Sequence, residues 1–144
     1  CAGVEACSII ATLIVAVAAV PGDPTGHWFK RTCENVELKT NRGRRNGSFY
    51  VDLYAHCHPK SGDKVANRME LDKCLGNLNG DLAWMQNDGF DYDCSGCQII
   101  DTEGDKFIMQ CYCNLKRTTI NLNLGIRNED GVLWCSYQSA SRLS

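Results

Sequence analysis

Ten cysteines, three histidines and a short acidic run are the side chains of this 144-residue sequence whose types and spacing could do chemistry. Cys94 and Cys97, followed by Cys111 and Cys113, would carry four thiolates on two hairpin-like arms, the donor set of a structural zinc site. The same thiols can instead pair with one another. An even total of ten points to a disulfide framework made in an oxidising compartment, and no metal is expected. His27, His56 and His58 lie around Cys57, where they could ligate a metal or move protons; solvated histidines at strand ends need neither role. Asp91 and Asp93 with Asp88 could imitate the carboxylate pair of a glycosidase, but on a glycine-containing loop acidic residues more often only solvate the chain. Arg42, Arg44 and Arg45 make a basic turn that could hold an anion weakly. No nucleophile stands beside a base in any recognisable pattern, so an enzyme is disfavoured and no cofactor is expected.

The positioning elements must come from one compact body, because the length allows one domain with a core. A net charge of −2 provides no positive field for a nucleic-acid backbone, and nucleic acid is not an expected partner. Asn46-Gly47-Ser48 reads equally as an N-glycosylation acceptor and as a tight turn.

Residues 1–27 read as an apolar arm and linker, and 28–144 as the folded domain. The run from Ala6 to Val20 lacks a basic lead-in and is shorter than the roughly 20 residues that a spanning helix needs, so no membrane span is expected and Cys1 reads as a processed end. Its β-branched residues Ile9, Ile10, Thr12, Ile14, Val15, Val17 and Val20 favour an extended, buried segment, packed on its own body or on a second copy of the chain.

Beyond Pro24 the pattern changes to short β-rich segments broken by Gly, Asn and Asp, which predicts an all-β, disulfide-rich fold. One unit occurs twice. The segment from Leu71 to Leu82 aligns without a gap on the segment from Leu122 to Leu133, and upstream Phe29/Cys33 matches Phe90/Cys94 while Leu53-x-Ala55-x-Cys57 matches Met109-x-Cys111-x-Cys113. Repeat one runs from about residue 28 to 84 and repeat two from about 90 to 137. The shrinking offset between copies predicts that repeat two has lost residues in two connecting loops rather than in strands. Asn79-Gly80 and Asp130-Gly131 have the chemistry of type I′ hairpin turns, and Leu82 with Trp84, and Leu133 with Cys135, are placed on the core face of the returning strands.

With these motifs in this order, the chain from about Trp28 to Tyr137 resembles the cyanovirin-N homology family, in particular its fungal branch. The resemblance implies a pseudo-twofold duplicated fold of three-stranded sheets and β-hairpins exchanged between the repeats. It also implies a secreted lectin for mannose-type glycans, needing no cofactor, with one shallow site near each end. Matching positions then imply the bridges Cys33–Cys57 and Cys94–Cys113, with Cys97 and Cys111 nearly opposite each other as a third. Cys1–Cys7 with Cys74–Cys135 is one of three connectivities for the remaining thiols, and any of these four could bridge to another chain.

By matching position, the resemblance implies a first-end site that combines Trp28, Arg31, Thr32, His58 and Lys60 with Asn128 and Asp130 of the other repeat. The second combines Asn77, Asn79, Asp88, Tyr92, Asp93, Asn114 and Lys116, with its wall shortened after Cys113. Asn77, Asn79, Asn128 and Asp130 can equally serve only to shape turns. A second class of function is also open: an extracellular self-assembling structural protein, a homo-oligomer or filament whose contacts run through Ala6 to Val20. Domain swapping through Met85-Gln86-Asn87 is a further route to dimers.

Overall fold

The computed structural model describes residues 28–42, 49–86, 89–90, 93–136 and 139–143. The apolar run from Ala6 to Val20, Cys1, Cys7, His27, Asn46, Asp88, Asp91 and Tyr92 lie outside them. Repeat one opens with a single helical turn, α1 (Phe29–Thr32), followed by β1 (Cys33–Arg42), β2 (Phe49–Cys57) and β3 (Val65–Glu70). A 3-10 turn over Leu71–Lys73 leads to the hairpin β4 (Leu75–Leu78) and β5 (Asp81–Trp84). Repeat two follows the same order: β6 (Cys94–Asp101), β7 (Ile108–Cys113), β8 (Lys116–Asn121), a 3-10 turn over Leu122–Leu124, then β9 (Arg127–Glu129) and β10 (Val132–Trp134). A last short strand, β11 (Ser141–Leu143), closes the described chain.

All strand pairs are antiparallel, and their register follows from side-chain alternation. On β7, Met109, Cys111 and Cys113 are buried while Ile108, Gln110 and Tyr112 are less so. On β2, Leu53, Ala55 and Cys57 face the core in the same rhythm. The turns predicted at the hairpin tips form as the residue types require: Asn79 and Gly80 have φ of 53° and 92°, and Asp130 and Gly131 have 53° and 94°.

Neither repeat closes on itself. The β4–β5 hairpin of repeat one packs on the sheet of repeat two, where the Leu82 amide donates to Thr118 Oγ1 at 3.1 Å. The β9–β10 hairpin of repeat two packs on the sheet of repeat one, where the Leu133 amide donates to Asn67 Oδ1 at 3.0 Å. Asn67 and Thr118 occupy equivalent positions in the duplicated sequence, so one pin is used twice with different chemistry. The result is one continuous core in which Phe29, Leu53, Met69, Leu71 and Leu75 meet Phe90, Met109, Leu122, Ile126 and Leu133. Each fully buried aliphatic side chain contributes about 1.5–3 kcal/mol.

Four bridges form among the described cysteines: Cys33–Cys57, Cys94–Cys113, Cys97–Cys111 and Cys74–Cys135. All four thiols of the zinc alternative are therefore consumed in disulfides. The bridge between Cys74 and Cys135 crosses from one repeat to the other. Its pseudo-symmetric counterparts are Gly125 and Trp84, and there the Trp84 ring lies so close to Gly125 that a Cβ would meet it at 2.3 Å. One junction is locked covalently and the other by a ring seated on a glycine.

Two features differ from the sequence reading. The first sheet has four strands, ordered β11-β3-β2-β1, because β11 adds to β3 with Ser141 opposite Arg68. The exposed Ser141-Arg142-Leu143 carries no alternation by which to foresee it. And one of the two losses in repeat two falls in strands: β1 and β2 have ten and nine residues, β6 and β7 eight and six, while the segments 43–48 and 102–107 joining them are equally long. Shortening a hairpin on its turn side keeps the pairing near the bridge at its open end, so this loss is tolerated as well as a loop loss.

Substituting Gly125→Ala should displace the Trp84 ring and cost about 1–3 kcal/mol as an overpacked contact, read as a lower midpoint in chemical denaturation. An unchanged midpoint would show that the ring is not seated as described.

Candidate functional site

The first end of the molecule carries a cleft of about 300 Å³ lined by Thr32, His58, Pro59, Lys60, Asn128, Glu129 and Asp130. Both repeats build it. The end of α1 and the loop after β2 supply one wall, and the β9–β10 tip supplies the other.

Hydrogen bonds across the repeats fix its shape. Asn128 is buried, and its amide donates to Thr32 Oγ1 and to the His58 carbonyl, both at 2.9 Å. Its Oδ1 accepts the Gly131 amide at 2.7 Å. With both ends of the amide engaged, Asn128 holds the cleft together. Asp130 Oδ1 accepts the Lys60 amide at 2.8 Å, and the His58 amide donates to the Thr32 carbonyl at 2.9 Å. The chain at 58–60 is thus held from both sides.

Trp28 and Arg31 stand beside this cleft and are not among its lining residues. Trp28 bridges to Arg127, and the Arg31 guanidinium lies 5.6 Å from the Trp28 ring centroid. Arg31 Nη2 reaches Asp105 Oδ2 at 3.1 Å and its Nε reaches Oδ1 at 3.3 Å, a forked pair that joins α1 to repeat two. Lys30 reinforces that junction by donating to the carbonyls of Thr102 and Gly104. Arg31 holds the Asp105 carboxyl below its usual range; the Glu103 amide, then Lys106, do the same for Asp101.

Three residues of this end were not singled out by sequence reasoning. Pro59 and Glu129 complete the lining. Glu34 sits next to it, accepting from Lys64 Nζ at 2.6 Å and lying 3.2 Å from His58 Nε2. Glu34 precedes Asn35, whose φ of 53° marks the irregularity in the β1–β2 ladder between Glu34 and Glu37. Lys64, through hydrogen bonding and charge, and then His58 hold the Glu34 carboxyl below its ordinary value. An Asn before a β-rich run is a weak bulge signal, which is why the sequence did not reveal it.

The second end repeats the turn but not the wall. Asn77 Oδ1 accepts the Gly80 amide at 2.7 Å, as Asn128 accepts that of Gly131, but its amide donates at 2.9 Å to the Asn114 side chain. Lys116 pairs with Asp81 at 2.8 Å, and Asn79 is exposed at the tip. Asp93, also exposed, donates its amide to the Phe90 carbonyl at 3.0 Å, while Asp88 and Tyr92 lie outside the described residues. Residues 58–64 join β2 to β3, whereas Asn114-Leu115 alone join β7 to β8. The structure therefore brings together Asn77, Asn79, Asn114 and Lys116, with no counterpart of the 58–60 wall. Among the described residues no group of three or more His, Cys, Asp or Glu side chains is placed to hold a metal ion, and no helix is long and apolar enough to cross a membrane.

A duplicated, hairpin-exchanged β fold with a polar cleft at one tip defines a class, and comparison with known proteins identifies it. The family model of the CVNH domain matches residues 29–134, and the chain belongs to that family. The T. borchii CVNH structure is 30% identical, with 75% of this chain and 98% of that one covered and a TM-score of 0.55. A variant of MoCVNH3 in complex with (N-GlcNAc)4 is similar at 16% identity, covering 74% of this chain and 95% of that one, with a TM-score of 0.58. Microvirin in complex with mannobiose is similar at 22% identity, covering 73% and 94%, with a TM-score of 0.51. No curated protein matches.

Asn128→Ala should cost about 3 kcal/mol, since it strands a buried amide and two acceptors, and calorimetry or denaturation would read the loss. The Asp105 effect has a definite sign. An unfolded aspartate titrates near 3.9 and the folded one lower, so the contribution is complete above about pH 5 and is lost as acid protonates the folded group. The fall in Tm between about pH 5.5 and pH 2.5 should accordingly be shallower in Asp105→Asn than in the parent.

Proposed function

We propose that this protein is a secreted lectin for mannose-type glycans and that its principal sugar site is the cleft at the first end. The observation that carries the reading is the cross-repeat cleft itself, with Thr32, His58, Lys60 and Asp130 converging on about 300 Å³. That volume is at the small end of ligand clefts, suited to one or two sugar rings rather than to a large substrate. Sugars are held by directional hydrogen bonds to closely spaced hydroxyls, and hydroxyl, imidazole, amide and carboxylate groups provide donors and acceptors side by side.

Family membership supports sugar binding, and the complexes of microvirin with mannobiose and of the MoCVNH3 variant with (N-GlcNAc)4 support a hexose-type ligand. Mannose is preferred here on the resemblance of the sequence motifs. The four disulfides support an extracellular setting. Binding without turnover is the economical reading, because the carboxylates next to the cleft are engaged: Glu34 with Lys64 and His58, Asp130 with the Lys60 amide. The second end, with Asn77, Asn79, Asp93, Asn114 and Lys116, is proposed as a weaker, open site, for which Asp88 and Tyr92 are candidates from the sequence.

A glycan array carrying oligomannose and N-acetylglucosamine oligomers tests the reading with the oxidised protein. Saturable binding to oligomannose is expected, reduced at least tenfold by Asp130→Ala, which removes a cleft carboxylate and frees the Lys60 amide, a loss of about 1.4 kcal/mol or more. Binding to no glycan would eliminate the lectin function, and binding confined to N-acetylglucosamine oligomers would overturn the mannose preference.

A further inference from the structure

We propose that His58 and Glu34 make sugar affinity at the first-end cleft depend on pH, with His58 a sugar-facing donor and Glu34 the positioning residue that orients it. This rests on the sugar-binding reading of the same cleft.

The main chain under the ring is immobilised. The His58 amide is held by the Thr32 carbonyl at 2.9 Å, its carbonyl by Asn128 at 2.9 Å, and the Lys60 amide by Asp130 at 2.8 Å. The exposed imidazole is the part of that wall left to respond to solvent conditions. Its Nε2 lies 3.2 Å from Glu34 Oε2, which leaves Nδ1 as the ring's other hydrogen-bonding atom. The charged groups around it are Glu34 on β1, Lys64 before β3, Lys60 on its own loop, and Glu129 and Asp130 on the β9–β10 hairpin.

With the neutral ring, Nε2–H donates to Glu34 and Nδ1 can only accept. Protonation changes both contacts. The bond to Glu34 becomes an ion pair that fixes the ring, and Nδ1–H becomes a charge-assisted donor for a sugar hydroxyl. Imidazoles change charge just below neutrality, whereas Glu34, held down by Lys64 and His58, remains an anion well below that point. Affinity should therefore rise as pH falls from about 8 to about 5.5, by about threefold to tenfold.

Calorimetric titration with an oligomannose glycan at those two pH values tests this on the parent protein, His58→Gln and Glu34→Gln. The expected result is a three- to tenfold tighter complex for the parent at the lower pH, an affinity ratio near one for His58→Gln whatever its absolute affinity, and a reduced ratio for Glu34→Gln. Equal affinity at both pH values in the parent, or a step that survives in His58→Gln, would overturn the inference while leaving the lectin reading standing. Absence of saturable binding at both pH values would instead remove the mannose reading, and this inference with it.

Discussion

A small three-stranded sheet leaves one face open to water, and in this chain each repeat covers the other's. The two hydrogen bonds from backbone amides that seat the hairpins, Leu133 to Asn67 and Leu82 to Thr118, are where this dependence becomes specific. A greasy hairpin could settle on a greasy sheet in several registers, but a buried amide must find its acceptor, and leaving it unpaired costs free energy comparable to a lost hydrogen bond. Because the exchange carries the β9–β10 tip of repeat two over the loops of repeat one, the first-end cleft exists only when both halves are in place. Fold and site have the same origin.

The duplicated sequence has been kept in topology and changed in chemistry. At the junctions, Cys74–Cys135 on one side corresponds to Gly125 under Trp84 on the other, and both solutions join a turn after one sheet to the end of the hairpin that packs near it. At the tips, Asn77 and Asn128 each cap a glycine amide three residues on, yet only Asn128 has a second wall to hold, since residues 58–64 shrink to Asn114-Leu115 in repeat two. Symmetry in the backbone has allowed the two ends to diverge into a walled cleft and an open surface.

Much of this was legible because duplication is self-checking: a motif seen once is ambiguous, while the same residues in the same order twice fix the turns, and the family resemblance those repeats carry implied the bridges Cys33–Cys57 and Cys94–Cys113 and a cleft drawing Thr32, His58 and Lys60 together with Asn128 and Asp130. What escaped has no local signature. Arg31 was placed in the cleft by position, but Asp105, far along the chain, draws its guanidinium aside. Glu34 enters because a bulge at Asn35 turns the strand there, and the fourth strand of the first sheet is three exposed residues paired to an edge. Long-range ion pairs and edge pairing are decided by tertiary geometry, which periodicity does not encode.

The central claim is that a sugar is held at the seam between the repeats. The most direct measurement is an amide-resolved NMR titration of the oxidised protein with an oligomannose glycan. The account predicts saturable shifts concentrated at residues 32, 58–60 and 128–130, drawn from both repeats at once. Shifts confined to a single repeat, or spread along the sheets and absent from those positions, would contradict it.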